Sequence, residues 1–360
     1  MDRDVLLLGS VGLPNAEEVF RAAGSILGTL APRLPDGESG WARSVWIQCQ
    51  RPFFLANPAL EMVEPDPDRL GVYRPARVPS AGIYGHTQAE SYHGRARLRP
   101  GLAAADVHFN NLGYADWAIE SYGIFARLKS EGVIAARTRF QVSLPTPANI
   151  LNLMALPEAL AAVTPAYEAA LFREIERMAA AIPANQLAIQ WDTTHPPVYE
   201  SADAEQRSAI VQRLIGLSEH VPAGVDVGYH LCYGDFEHKH GVQPKDLTVC
   251  VEMANAIVAG SSREVTWVHM PIPRDRADEA FVAPLRDLRL GAAPQLYLGL
   301  VHYTDGLVGT RRRIETANRV RTEFGIATEC GLGRRLGQDI PELLRIHAEA
   351  ARTAPVGSAA

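Results

Sequence analysis

The chain has 360 residues, of which 47% are hydrophobic and 21% charged, and its formal net charge is −6 with a pI of about 6.0. This composition is ordinary for a folded protein with a large core. The negative charge argues against nucleic acid or an anionic membrane surface as a partner, because both attract basic proteins. Four widely spaced cysteines and the lack of an export-like or 18-residue apolar segment predict a cytoplasmic protein without a membrane span.

Short β-rich runs alternate with longer amphipathic patterns along most of the chain. Most of these runs are continuously apolar, which is typical of parallel strands buried on both faces. Asn15, with Glu18 three residues later, predicts a capping box at the first helix. Eight strand–helix units favour a single α/β domain over 1–360, a (β/α)8 TIM barrel. The predicted strands are 4–9, 106–111, 138–144, 186–192, 225–232, 264–270, 295–302 and 325–330, and the predicted helices are 16–30, 165–182, 205–220, 247–259, 277–288, 310–324 and 339–352.

One stretch, 31–105, breaks this alternation and is rich in proline, glycine and arginine. We expect it to form an irregular excursion between the first helix and the second strand, over one mouth of the barrel. Loops of this length are usually functional or disordered. Asp36 and Glu38, with Arg43 and Trp46, are candidates for a substrate lid in which Arg43 binds an anion through two parallel hydrogen bonds. A well-capped surface turn is an equally good interpretation.

Histidines and cysteines collect where predicted strands end, which is the edge that carries the active site in such barrels. His230 and Cys232 lie two apart on one strand, so their side chains project to the same face. Cys330 ends the last strand and would face the same mouth. Imidazole and thiolate are preferred Zn²⁺ ligands, and a catalytic zinc needs three protein ligands and an exchangeable position. Burial of the cysteines as small apolar residues is the alternative, and spacing leaves both open.

The motifs at these strand ends resemble those of cobalamin-independent methionine synthase, in its catalytic barrel. The resemblance implies that Zn²⁺ held by His230, Cys232 and Cys330 activates a small-molecule thiol, which attacks an alkyl donor as the thiolate. It also implies that Ser10 and Asp192 bind the substrate. The matching segments are GS (9–10), VSLPTPANIL (142–151), QWD (190–192), YHLCYGDF (229–236), GLVH (299–302, ending at His302, which would move a proton) and TECGLGRR (328–335).

Two positions depart from the family pattern. Its fourth zinc ligand is a glutamate, whereas this chain has His269 there, which is expected to bind the zinc or to contact the substrate. Its glutamate that holds the substrate amine falls on Asn111. An uncharged amide would bind an ammonium group less strongly than a carboxylate does. The sequence therefore leaves open which thiol and which alkyl donor react.

These observations predict a zinc-dependent thiol methyl- or alkyltransferase whose partners are small molecules; a homo-oligomer is compatible with the sequence. In a first alternative, the chain is a metal-free lyase similar to the related uroporphyrinogen decarboxylase group. His302 and Asp192 would then do acid–base catalysis. A non-catalytic barrel that binds zinc or another ligand is the second alternative.

Overall fold

A parallel sheet of seven strands forms the centre of the computed structural model, which describes residues 2–39, 43, 47–63, 94–234, 242–291 and 295–352. Its strands run in the order β1-β4-β5-β6-β7-β8-β9, and every neighbouring pair is parallel. A separate antiparallel hairpin pairs β2 with β3. The strands are β1 Arg33–Pro35, β2 Leu60–Val63, β3 Arg95–Leu98, β4 Arg139–Pro145, β5 Leu187–Thr193, β6 Asp226–Leu231, β7 Trp267–Pro271, β8 Gln295–Val301 and β9 Gly325–Thr328.

The segment 4–11, which includes the first predicted strand at 4–9, lies between the two edge strands β1 and β9. It is joined to them by isolated bridges rather than by a regular ladder. The Leu6 amide donates to the Ile326 carbonyl at 3.0 Å, and the Val11 amide donates to the Gly37 carbonyl at 2.9 Å. The observed fold is thus an α/β fold with a curled seven-stranded parallel sheet. Closure into an eight-stranded barrel stays a prediction.

Helices connect the strands and cover the outside of the sheet. As predicted, the first helix is capped by Asn15, whose side chain accepts a hydrogen bond from the Glu18 amide at 3.0 Å. None of the described helices combines the length and the apolar character needed to cross a bilayer. The helices are α1 Ala16–Leu27, α2 Arg51–Leu55, α3 Tyr114–Ser130, α4 Pro147–Met154, α5 Leu160–Ala181, α6 Pro196–Ser201, α7 Ala204–Glu219, α8 Thr248–Gly260, α9 Glu279–Val282, α10 Gly306–Asn318 and α11 Ile340–Ala351.

The predicted strand 106–111 is wrong: this stretch forms no strand, and β1 pairs with β4 instead. Phe109 in that stretch packs on the rings of Phe54 and Tyr167, at centroid distances of 5.0 and 5.6 Å. The apolar side chain that suggested a strand is therefore buried against helices. The excursion consequently begins after β1 rather than at residue 31, and its described parts contain α2 and the β2–β3 hairpin.

The inside of the curled sheet is filled by large side chains in one layer and by polar side chains in the next. Trp267 and Tyr297 are fully buried in the apolar layer. Gly228, paired with Trp267, makes room for the indole, since a Cβ there would lie 2.0 Å from two of its ring atoms. Two residues further along the same strands, towards their C-terminal ends, His230 pairs with His269. The fold thus places the two imidazoles next to the apolar layer that contains Trp267 and Tyr297.

Candidate metal centre

Three side chains predicted as metal ligands converge at the C-terminal edge of the sheet. They are His230 and Cys232 from the end of β6 and Cys330 from the turn after β9. One ligand atom of each lies within 4.8 Å of those of the other two. The Cys232 amide donates to the Thr193 carbonyl at 2.8 Å, which keeps this strand end paired with β5. The donor set, one imidazole and two thiols, is one that Zn²⁺ prefers, and it leaves room for an exchangeable ligand.

His269, predicted as the fourth ligand, lies beside His230 on the neighbouring strand. The two Nδ1 atoms are 2.8 Å apart, and His269 Nε2 lies 3.0 Å from the Thr328 carbonyl oxygen. The His269 side chain is completely buried, and this burial, together with neighbouring His230, lowers its pKa well below the usual value. Both of its ring nitrogens are thus in hydrogen bonds, and it is not one of the three converging ligands. Its role as a zinc ligand stays a prediction.

Asp192 lies near the end of β5, as the strand pattern predicted, and the sheet places it in register with His230. Its Oδ1 accepts a hydrogen bond from Gln190 Nε2 at 2.8 Å. Burial raises the pKa of the Asp192 carboxyl to about 7, while His230 and the Gln190 hydrogen bond act in the opposite direction. A carboxyl group of this kind can exchange a proton near neutral pH or pair with a cationic ligand group.

A second buried carboxyl, that of Glu38, follows β1 at the same edge. Its backbone has φ of 48°, in the left-handed region, and its amide donates to Asp36 Oδ1 at 2.9 Å. A Cβ on Gly9 would lie 2.9 Å from Glu38 Oε1 and 3.0 Å from Ser143 Oγ. The Glu38 carboxyl therefore lies close to Gly9 of segment 4–11, near the end of β4. Burial raises the pKa of Glu38 to about 8, and nearby Asp192 adds to the rise.

A pocket of about 290 Å³ adjoins Glu38. Arg43 lines it, forms an ion pair with Asp36, and holds its guanidinium 5.5 Å from the Trp117 ring centroid. Because Asp36 already neutralises this guanidinium, anion binding by Arg43 stays a prediction. Trp46, the other predicted lid residue, lies outside the described residues. The lining comprises Glu38, Arg43, Ile47, Cys49, Tyr114, Trp117, Ser143 and Pro145.

His302, the predicted proton carrier, is buried at the end of β8. Its Nε2 lies 2.9 Å from the Ile272 carbonyl oxygen, so this nitrogen carries a hydrogen, and its Nδ1 lies 3.5 Å from Glu329 Oε1. Both side chains border a second pocket, of about 260 Å³, that also contains Cys330. For Glu329 the sequence leaves open a position beside the metal ligands or an outward-facing strand position, which strand alternation favours. The outward-facing position is wrong, because the chain leaves β9 at Thr328 and Glu329 is buried beside His302.

Ser10 lies next to the turn that follows Cys330, as expected of a residue at the site. Its Oγ accepts a hydrogen bond from the Gly333 amide at 3.3 Å, and its carbonyl accepts one from the Leu332 amide at 2.6 Å. The segment 4–11 and the Cys330 turn are therefore held together by backbone and side-chain contacts. Binding of a substrate by Ser10 stays a prediction.

Asn111 is exposed and lies three residues before the start of α3. Its side chain donates to Asp116 Oδ2 at 2.8 Å and accepts from the amide of Gly113, two residues further on, so both of its partners are local. The position of Asn111 after a second strand was expected from a strand at 106–111, and that strand does not form. Glu38 is the carboxyl that follows β1, the strand that pairs with β4 where a strand at 106–111 was predicted to lie.

No protein-family model matches the sequence, and no curated protein matches it. Among solved structures, one similar chain is a Listeria monocytogenes protein provisionally named a vitamin-B12-independent methionine synthase, with a TM-score of 0.53 and 13% identity over 93% of this chain and 86% of that one. Another is a methyltransferase from Methanosarcina mazei, with a TM-score of 0.50 and 11% identity over 97% and 93% of the two chains. At these identities the likeness concerns the fold, and the chain therefore shares its α/β architecture with these two proteins.

Proposed function

We propose that the chain is a zinc-dependent transferase that moves a methyl or other alkyl group to a thiol. The observation that carries this proposal is the convergence of His230, Cys232 and Cys330 at the C-terminal edge of the sheet, beside two buried carboxyls. Zn²⁺ bound there would lower the pKa of a substrate thiol, so that the thiolate is available at neutral pH. The names of the two proteins with a similar fold support transfer of a methyl group.

The remaining chemistry needs a proton for the leaving group. The substrate thiolate forms a bond to the alkyl carbon as the bond from that carbon to the donor breaks, and the donor keeps the electron pair. His302 Nδ1, which lies beside Glu329 in the pocket that contains Cys330, is placed to hold the proton that the donor then takes up. Within this proposal His302 acts in proton transfer, next to the pocket that contains Cys330.

Asp192 and Glu38 define the substrate class within this proposal. Both are buried carboxyls, and burial raises the pKa of each towards neutrality. An ammonium group placed between them would favour their charged forms and form charge-assisted hydrogen bonds. We therefore propose a substrate that carries both a thiol and a protonated amine. In this proposal Glu38 takes the part of the amine-binding carboxylate that the family pattern has at the position of Asn111, and substrate binding by Asn111 stays a prediction.

Zinc content is the first test. Protein purified without added metal is expected to contain about one zinc per chain, from the ligand number of such sites. Cys232→Ala and Cys330→Ala should each lose most of it and keep the wild-type circular dichroism spectrum. Cys49→Ala is the matched control, since Cys49 lies outside the converging group, and it should keep its zinc. Wild-type protein that is folded and free of metal would contradict the proposal and favour the lyase alternative.

Substrate preference is the second test. Alkyl transfer is measured with an aminothiol and with the same thiol lacking the amine, using a methyl donor and an epoxide as alkylating agents. The aminothiol should be preferred by the wild type, and Glu38→Gln should raise KM for the aminothiol without changing KM for the simple thiol. Equal use of both thiols by the wild type would remove the amine from the proposal. No transfer with any pair, in protein that contains zinc, would favour a non-catalytic zinc protein.

A further inference from the structure

We infer that His269 is a positioning residue, which orients His230 as a ligand through Nε2 and does not itself bind the metal. This inference rests on the proposed function, because it concerns the residues that would hold its zinc. The relevant groups are the Thr328 carbonyl, the His269 ring and the His230 ring, which are joined in a row by two hydrogen bonds.

The direction of the first hydrogen bond follows from its acceptor. A carbonyl oxygen can only accept, so the hydrogen between Thr328 and His269 belongs to His269 Nε2, 3.0 Å away. A neutral imidazole carries one N–H, which leaves a lone pair on His269 Nδ1. This ring is completely buried and packs against a second imidazole, an environment that excludes a positive charge.

The second hydrogen bond then has a fixed direction as well. His269 Nδ1 accepts, so the hydrogen between the two Nδ1 atoms, which are 2.8 Å apart, belongs to His230. With its hydrogen on Nδ1, a neutral His230 has its lone pair on Nε2. A metal ligand must offer a lone pair, and the histidine's other N–H is usually held by a neighbouring acceptor. His269 provides that acceptor.

The same arrangement argues against His269 as a fourth ligand. To turn a nitrogen towards the metal, it would have to give up its hydrogen bond to His230 or to Thr328, and a buried polar group would lose its partner. Thr328 is itself fixed near the site, since its Oγ1 donates to the Cys330 carbonyl at 2.6 Å. One short segment therefore presents Cys330 and anchors His269, and this couples the orientation of His230 to the position of Cys330.

His269→Leu and His269→Gln separate the two roles. Leucine removes both hydrogen bonds, whereas a glutamine amide can donate to Thr328 and accept from His230. We expect His269→Leu to weaken zinc binding about 10- to 100-fold, the usual effect of losing an outer hydrogen-bond partner, and His269→Gln to restore it to within a few-fold of wild type. Zinc affinity is measured on the full chain by competition with a chelating dye. His347→Gln is the matched control, because His347 is also completely buried and bonded to a carbonyl, in α11, and it should not change the affinity.

X-ray absorption of the zinc-loaded protein supplies a readout that a purely structural role would not change. The wild type and both variants should show one imidazole and two sulfur ligands. A second imidazole in the wild type, or its loss in His269→Gln, would overturn the inference and make His269 a ligand. Unchanged affinity in His269→Leu would also overturn it. If His269→Leu does not fold, the wild-type spectrum and the glutamine variant still decide. Wild-type protein that binds no zinc would instead refute the proposed function.

Discussion

Glu38→Gln is expected to make the free energy of unfolding much less dependent on pH. Burial raises the pKa of this carboxyl from its ordinary value of 4.5 to about 8. Between these two values the folded chain holds a proton that the unfolded chain releases, so the stability falls as the pH rises, by about 1.4 kcal/mol per pH unit. From roughly pH 5 to roughly pH 7.5 the loss is about 3 kcal/mol as an order of magnitude. Glutamine does not ionise and removes this contribution.

The assay is chemical unfolding of metal-free protein at a series of pH values, with wild type and variant measured in parallel. Other titrating groups are present in both proteins, so the difference between their curves reports on position 38 and on its interaction with nearby Asp192. We expect the variant to gain on the wild type steadily as the pH rises through this window. Glu120→Gln is the matched control, because Glu120 is exposed on α3, and its curve should run parallel to that of the wild type.

Parallel curves for Glu38→Gln and the wild type would refute the reasoning. They would mean that the folded chain releases the Glu38 proton as easily as the unfolded chain does, which is incompatible with a carboxyl buried between Gly9 and Ser143. The proposal of an ammonium site between Glu38 and Asp192 would then lose one of its two supports.

Two further predictions concern the fold that carries the site. Gly228→Ala should lower the free energy of unfolding by about 1–3 kcal/mol or more, because the new Cβ would lie 2.0 Å from the buried Trp267 ring. Gly216→Ala is the control: it has open space around it, so it should be neutral or stabilise the fold by up to about 1 kcal/mol. Arg313→Leu should lower the free energy of unfolding by at least about 2 kcal/mol. The Arg313 side chain is 99% buried and pairs with Asp305, so its loss leaves a half-buried carboxylate without its partner. A loss below about 0.5 kcal/mol, roughly that of a surface ion pair, would contradict this prediction.

The strands that the sequence predicted well are the long, continuously apolar ones. β5 was expected at 186–192 and is observed at Leu187–Thr193, because seven consecutive buried residues dominate the local pattern. β1 could not be predicted in this way, since it has three residues, one of them proline. It forms because Leu34 pairs with Phe140, more than one hundred positions further on. Pairing between residues so far apart leaves no local pattern in the sequence. The prediction therefore assigned this place in the sheet to 106–111 instead of β1.

In the candidate site, too, features with a local sequence pattern could be predicted, and features that depend on distant contacts could not. The convergence of His230, Cys232 and Cys330 could be expected from spacing and strand ends, because both are properties of the local pattern. The environment of His269 could not, because it depends on a carbonyl of another strand, that of Thr328. Glu38 was considered only as part of a lid, since the strand before it was not recognised. Its left-handed backbone and the glycine opposite it become visible only in three dimensions.

The bridges that join segment 4–11 to β9 and to the residues after Cys330 bear on the order in which these contacts can form during synthesis. Val5 pairs with Ile326, and Val11 with Leu332, so residues 5 and 11 can pair only after more than three hundred further residues have been synthesised. Contacts this distant in sequence form slowly, and incomplete chains expose unpaired strand edges. Because Cys330 lies within this late contact, we expect a nascent chain to bind the proposed zinc tightly only after β9 and Cys330 have left the ribosome. Zinc uptake would then report completion of folding.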